Sequence, residues 1–210
     1  MFKSIQNLID KDHHVLELGP ADGKITRMIC DITNKITVVD ASTTYLSRIQ
    51  DFDENIDSIV GLIEDVEIEK KFNLVLLMHV LEHVEDPIRI LRRCKEWLTK
   101  DGLLVVTVPN ANSFHRHLGV KMGLLDEVYQ LNESDINVGH RRVYDWDSLE
   151  YDVVSSGLEV VQRQGIFFKL FNNSMMSKLE EEQLDGLFEL GKKFPENCAE
   201  IMFVCRGVNE

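Results

Sequence analysis

Short apolar runs, separated by stretches in which apolar residues recur at helical spacing, predict a sheet of seven strands with helices between them. The runs lie at residues 15–18, 36–39, 56–61, 72–78, 103–108, 159–168 and 200–205. Strands that alternate with helices favour an α/β fold with a mostly parallel sheet. We expect the last two runs to form an antiparallel hairpin that closes this sheet.

The stretch from His14 to Asp40 carries the first chemical feature of the chain. Gly19 and Gly23 lie in a tight turn between the first strand and its helix, where the lack of a Cβ lets the backbone approach a ligand. Free N–H groups at the start of that helix favour an anion. Asp40 ends the second strand about 20 residues after the turn, where folds of this type hydrogen-bond a ribose hydroxyl. These features indicate a nucleoside-containing cofactor.

The turn itself reads Glu17-Leu18-Gly19-Pro20-Ala21-Asp22-Gly23 and lacks the G-x-G-x-x-G spacing that holds a pyrophosphate in dinucleotide-binding folds. It resembles the E/D-x-G-x-G-x-G turn of class I S-adenosylmethionine-dependent methyltransferases, with Ala21 in place of the middle glycine. The resemblance implies that S-adenosyl-L-methionine is the cofactor and S-adenosyl-L-homocysteine the product. The residues of this stretch that it places at the cofactor are Glu17, Gly19, Ala21, Gly23 and Asp40.

A second block follows the strand at 72–78. Residues 80–87, Val-Leu-Glu-His-Val-Glu-Asp-Pro, resemble the V-L-E-H-V-x-D-P block of many small-molecule methyltransferases, and we expect a helical segment here that is interrupted at Pro87. The family implies a Rossmann-like, seven-stranded α/β sheet, mostly parallel with a C-terminal antiparallel hairpin, with helices on both faces. Further cofactor contacts are implied for Glu64, Asp65, Met78 and His79. The family usually has aspartate after Gly61, where this chain has Leu62.

The same block raises the question of a metal. His79-Val80-Leu81-Glu82-His83 fits the H-x-x-E-H pattern of inverted zinc peptidases, which need one continuous helix through both histidines. His79 directly follows an apolar strand, so we predict no metal site. At the carboxyl end of a strand, where α/β sheets bind ligands, a neutral His79 would act as a general base. The alternative is that His79 only packs against the cofactor.

Two later segments, residues 109–119 and 139–145, resemble blocks of a methyltransferase subgroup that acts on sugars and other small metabolites. The resemblance implies a small polar acceptor, such as a sugar or nucleotide-linked sugar, methylated on oxygen or nitrogen. The implied acceptor residues are Asn110, His115, Arg141, Arg142 and Tyr144. His115 and His140 are further base candidates. The two arginines would bind a phosphate or carboxylate of the acceptor, or form surface salt bridges.

Length and charge restrict what else the chain can be. Its 210 residues suffice for one well-buried core, so we expect a single domain, residues 1–210, with acceptor-side insertions at about 110–145 and 170–198. A formal net charge of −13 disfavours nucleic acid as a partner. No apolar run is long enough for a membrane span. Four cysteines without C-x-x-C spacing favour a reduced, cytoplasmic protein.

Two alternative functions and the role of one segment stay open. A nicotinamide-dependent reductase would share the sheet but needs the missing dinucleotide spacing. A binding-only relative that acts as a regulatory or partner subunit would explain the departures at Ala21 and Leu62. A helix is predicted at 177–192, and its apolar stripe has three alternative roles: it covers the core, it forms a homodimer contact or it serves as a lid.

Overall fold

The computed structural model of the chain describes residues 1–171 and 173–208, and a seven-stranded sheet forms its centre. The strands are β1 (Val15–Leu18), β2 (Ile36–Asp40), β3 (Asp57–Val60), β4 (Phe72–Met78), β5 (Leu98–Pro109), β6 (Leu158–Ile166) and β7 (Glu200–Gly207). Their order is β3-β2-β1-β4-β5-β7-β6. Strands β1 to β5 pair in parallel, and β7 is antiparallel to β5 and β6. The predicted fold class is therefore confirmed.

Nine helices connect or flank these strands within the described residues. They are α1 (Phe2–Ile5), α2 (Lys24–Cys30), α3 (Thr43–Gln50), α4 (Pro87–Trp97), α5 (Phe114–Lys121), α6 (Glu133–Asn137), α7 (Trp146–Ser155), α8 (Asn173–Met176) and α9 (Glu181–Gly191). The starts of the longer helices follow from their capping residues. Ser42 Oγ accepts from the Tyr45 amide at the start of α3, and Asp86 caps α4 with Pro87 at its first position.

The core lies on both faces of the sheet, as expected for strands covered by helices on two sides. Leu16 and Leu18 of β1 face one apolar cluster, which α4 and α7 cover, whereas Val15 faces the other. The second cluster contains residues of α2 and α3, and Ile5 of α1 joins it. The N-terminal helix thus covers the sheet. No helix among the described residues has the length and apolar character needed to cross a membrane.

Several predicted element bounds differ from the structure. Strand β5 starts at Leu98, before the predicted run at 103–108, and its pairing with β4 shifts register between Leu98 and Leu103. Gly102 lies in this irregular part, where a Cβ would be 2.7 Å from the Phe72 carbonyl oxygen. Residues 80–85 form turns and no helix. The insertion at about 110–145 contains α5 and α6.

The predicted helix at 177–192 is shorter than expected, because α9 begins at Glu181 with a capping box. Phe188 packs against the apolar cluster that contains α2 and α3, and the Leu187 carbonyl accepts from the Phe168 amide. The apolar stripe of α9 therefore covers the core. The homodimer stays a prediction. Three positions of the predicted domain, 172, 209 and 210, lie outside the described residues. Position 172 belongs to the predicted insertion at 170–198.

Two exposed glycines offer a matched test of backbone conformation. A Cβ added at either Gly186, inside α9, or Gly123, after α5, would meet no atom within 4 Å. Gly123 has φ +70°, the left-handed region, whereas Gly186 is helical. We expect Gly186→Ala to raise the free energy of unfolding by about 1 kcal/mol. Gly123→Ala should lower it by about 1 kcal/mol. Urea unfolding measures both changes in the free energy of unfolding. A change of the same sign in both variants would contradict the backbone conformations assigned to the two glycines.

Candidate active site

Two adjoining cavities lie at the carboxyl edge of the parallel strands, where α/β folds bind ligands. The first has a volume of about 620 Å³ and is lined by the turn after β1, the end of β2, residues 61–64 and the segment after β4. The second, of about 770 Å³, is lined by the end of β5, the start of β7 and parts of the two insertions. His79 lines both cavities. It is therefore part of the wall that they share.

Three residues of the turn after β1 have positive φ angles, and its two glycines pack closely against neighbouring side chains. Gly19 has φ +67°, and a Cβ there would lie 3.1 Å from Val80 Cγ2. Gly23 has φ +72°, and its Cβ would lie 2.7 Å from Ile49 Cγ1, so a side chain is excluded at this position too. Ala21 adopts φ 49°, which costs a non-glycine residue about 1 to 2 kcal/mol. The turn keeps the shape of a glycine turn although its middle residue is alanine.

Asp40 ends β2 next to this turn and also lines the first cavity. The Ser42 backbone amide donates a hydrogen bond of 2.7 Å to its Oδ1, which fixes the carboxylate at the end of β2. The Gly61 amide donates to the Asp40 carbonyl at 3.1 Å, and so β2 and β3 end side by side. A fixed carboxylate beside a glycine turn fits the ribose hydroxyls of a nucleoside.

Of the nine predicted cofactor residues, four line the first cavity, and they are Gly19, Asp40, Glu64 and His79. The other five do not line it, and they are Glu17, Ala21, Gly23, Asp65 and Met78. Met78 and Glu17 are buried in the sheet. Thr26 donates a 2.6 Å hydrogen bond to Glu17 Oε2, which joins β1 to α2. Burial raises the Glu17 pKa to about 7, although the Thr26 bond lowers it.

His79 is held between two carboxylates. Its Nδ1 lies 3.1 Å from Glu82 Oε1 and its Nε2 lies 3.6 Å from Glu200 Oε1. Burial lowers the pKa of His79, but Glu200 and Glu82 outweigh it and raise the pKa to about 10. The raised pKa favours the charged ring near neutral pH, and a general-base role of His79 stays a prediction. The residue also has φ 55°, a strained conformation that is frequent at functional sites.

The second cavity is lined by polar side chains of both charges. His115 and His140 both line this cavity. Burial is the main cause of a lowered pKa in both histidines, and it lowers the pKa of His115 to about 4. Burial also lowers the pKa of Lys169, against the attraction of Glu200. Arg116 is almost fully buried and pairs with Asp135 at 3.3 Å.

The predicted acceptor residues Asn110, Arg141, Arg142 and Tyr144 have other partners. Arg142 donates to the carbonyls of Leu81, Val84 and Glu85, and so it braces the segment after β4. Arg141 lines the first cavity and forms a 3.3 Å salt bridge with Glu85. Such a surface salt bridge was the alternative to acceptor binding for this arginine.

The side chains of Asn110 and Tyr144 are also hydrogen-bonded within the protein. Asn110 lines this cavity, but its side-chain amide donates to the carbonyls of Glu196 and Cys198. Tyr144 is buried away from it, and its hydroxyl donates to Asp152 at 2.9 Å. The polar groups of Arg142 and Tyr144 are therefore already engaged within the protein, and acceptor binding by these residues stays a prediction.

Four charged residues of the second cavity were not predicted as site residues, namely Glu200, Lys169, Asp135 and Arg116. Glu200 could have been found from topology. It begins β7, and because β7 is antiparallel to β5, its first residue pairs with Pro109 at the carboxyl edge. An acid at the start of the last strand therefore falls beside the ends of the parallel strands. Lys169 and Asp135 belong to the insertions and carry no comparable signal.

Residues 1–163 match the family model described as a methyltransferase domain. (S)-coclaurine N-methyltransferase of Thalictrum flavum subsp. glaucum is 29% identical over 105 residues, 47% of this chain and 29% of that protein. The chain spans about half or less of the length of the first curated relatives that it matches.

Solved structures share the fold across almost the whole chain. A S-adenosylmethionine-dependent methyltransferase from Mesorhizobium loti superposes with a TM-score of 0.69 at 14% identity, covering 97% of this chain and 96% of that chain. N-methyltransferase NodS from Bradyrhizobium japonicum WM9, solved with S-adenosyl-L-homocysteine, gives 0.61 at 14% identity, covering 99% and 86%. At such identities these likenesses show the fold.

Proposed function

The chain belongs to the class I S-adenosylmethionine-dependent methyltransferases, and we propose that it transfers a methyl group from S-adenosyl-L-methionine to a small polar acceptor. The observation that carries this proposal is the position of His79, which lines both the first and the second cavity. A cofactor in the first cavity and an acceptor in the second would meet at this residue. We therefore call them the cofactor cavity and the acceptor cavity.

When bound, the cofactor supplies a sulfonium that is already a good leaving group. The protein then has to align the acceptor, exclude water and accept a proton. Asp40 and the turn at Gly19 bind the nucleoside part of the cofactor. His79, fixed by Glu82 and Glu200, positions the acceptor at the shared wall.

His115 is the proton acceptor that the geometry favours. It lines the acceptor cavity, and its Nδ1 is buried without a hydrogen-bond partner among the described residues. A buried, unpartnered imidazole nitrogen can accept a proton from a hydroxyl or an amine that docks against it. Because its pKa lies below neutral, the ring is available in its neutral form.

The acceptor cavity supports a sugar or a sugar derivative as the acceptor class. Its volume of about 770 Å³ is in the range of small-molecule sites. Histidine, asparagine, lysine and carboxylate groups line it together, which suits a ligand with many hydroxyl groups. Lys169 would also attract a phosphate or carboxylate on such a ligand.

The test is a methyl-transfer assay with a panel of sugars, sugar phosphates, amines and phenols. We expect S-adenosyl-L-homocysteine to form only when a suitable acceptor is present. Ser134→Trp should raise the acceptor KM by about tenfold and leave cofactor affinity unchanged, because Ser134 lines only the acceptor cavity. Ser47→Trp, exposed on α3, is the matched control.

The outcomes of this assay separate the candidate functions. Cofactor binding without turnover on every acceptor would favour the binding-only alternative, to which the alanine at position 21 already points. A cofactor that fails to bind would overturn the proposal. Equal effects of the two tryptophan variants would remove the assignment of the acceptor cavity.

A further inference from the structure

Three side chains that bind metals well meet in the wall between the two cavities. Glu82, His83 and His140 each offer one donor atom, and these three atoms lie within 4.8 Å of one another. His83 lines the cofactor cavity and His140 lines the acceptor cavity. The rings of the two histidines are in edge-to-face contact, with centroids 4.8 Å apart.

Glu82 supplies an independent indication of a ligand. Its side chain is fully buried, and Oε1 contacts His79, but Oε2 has no hydrogen-bond partner among the described residues. A buried carboxylate oxygen without a partner costs several kcal/mol in general, because water no longer solvates it. A bound cation at this position would remove that cost.

The two segments that carry the ligands are held together by main-chain contacts. The Arg141 amide donates to the Glu82 carbonyl at 2.8 Å, which places His140 beside the segment after β4. Arg142 donates to the Leu81 and Val84 carbonyls at 2.7 and 2.6 Å on either side of Glu82 and His83. The backbone of the cluster is therefore fixed before any ligand binds.

A neighbouring carboxylate lies close to one ligand, although the two make no hydrogen bond. Asp135 Oδ1 lies 3.4 Å from His140 Nδ1. Metal-bound histidines commonly present their second ring nitrogen to a carboxylate, which fixes the ring and its tautomer. Asp135 is in turn held by Arg116 at 3.3 Å.

We propose that Glu82, His83 and His140 bind a divalent transition-metal ion, of the zinc type, in the wall between the two cavities. One carboxylate and two imidazoles suit such an ion, whereas Mg²⁺ and Ca²⁺ prefer oxygen ligands alone. Three protein ligands leave a fourth position for a ligand atom. Donors about 2.1 Å from one ion are about 3.5 Å apart, so the rings rotate inward on binding.

This site differs from the H-x-x-E-H helix of a zinc peptidase. No helix runs through residues 79–83, and His79 contacts Glu82 and Glu200 instead of joining the donor cluster. The third donor comes from His140, 57 residues after His83 in the chain. The prediction of no metal site considered only the helical arrangement.

The experiment is calorimetric titration of the chelator-treated, full-length protein with ZnCl₂ alone. We expect one ion per chain, with the affinity at least about tenfold lower in His83→Ala and in His140→Ala. His117→Ala, an exposed histidine outside the cluster, is the matched control and should bind as the wild type does. Co²⁺ substitution adds a second readout, since its visible absorption reports tetrahedral nitrogen and oxygen ligands.

Unchanged affinity in both cluster variants, or no binding to the wild type, would overturn the site. Glu82→Gln keeps the shape of the buried side chain and removes its charge. This variant replaces the alanine variants in the titration if one of them unfolds. S-adenosyl-L-methionine is titrated into the same metal-free samples. This inference rests on the proposed function only for the names of the cavities, and metal binding and cofactor binding succeed or fail separately.

Discussion

Asp40→Ala is expected to weaken the binding of S-adenosyl-L-methionine by about 100-fold, because the variant removes a charged hydrogen-bond acceptor from the ribose position. Asp40 lines the cofactor cavity, and the Ser42 amide fixes its Oδ1 at 2.7 Å. The carboxylate is thus oriented before the cofactor arrives, and little ordering cost opposes the bond. Isothermal titration calorimetry of the wild type and the variant measures the loss.

Two further variants separate this effect from a change in folding. Asp40→Asn keeps an oxygen for the Ser42 amide and loses the charge, so it should lose less affinity, about tenfold. Asp51→Ala removes an exposed carboxylate at the end of α3, outside the cavity, and should bind normally. Wild-type affinity in Asp40→Ala would show that the cofactor does not contact this carboxylate.

The positions of the strands along the chain could be predicted because each strand is a short apolar run with its own boundary. Buried parallel strands need apolar residues on both faces, as in Val15 to Leu18. The helix predicted over residues 80–86 was wrong for a local reason that the sequence does not display. His79 adopts φ 55°, and Arg142, which lies 59 residues after His83 in the chain, holds the carbonyls of this segment in turns.

Site residues could be predicted only where the position of a residue within a single turn, strand or helix is enough to place it at the ligand. Gly19 and Asp40 qualify, because a turn and a strand end fix their places in any α/β sheet. Arg142 and Tyr144 do not, because their partners are distant carbonyls and Asp152. The charge of His79 depends on Glu200, 121 residues later, and so its protonation could not be predicted from its own segment.

Glu17→Gln is expected to stabilise the ligand-free protein above neutral pH by up to about 3 kcal/mol. Burial raises the Glu17 pKa from its ordinary 4.5 to about 7, so folding favours the protonated acid. The folded state binds more protons than the unfolded state between these values, and the free energy of unfolding falls as pH rises through this window. Glutamine has no charge to bury, so its stability does not fall there.

The difference between the two proteins should vanish below pH 4.5 and reach its full size above pH 7, where the Glu17 carboxylate is ionised in both states. Urea unfolding from about pH 4 to about pH 8 measures it, with exposed Glu54→Gln as the control that should stay close to the wild type. Thr26→Val removes the hydroxyl that stabilises the carboxylate at 2.6 Å, and should steepen the fall. A pH-independent difference for Glu17→Gln would mean that the Glu17 pKa is the same in the folded and unfolded states.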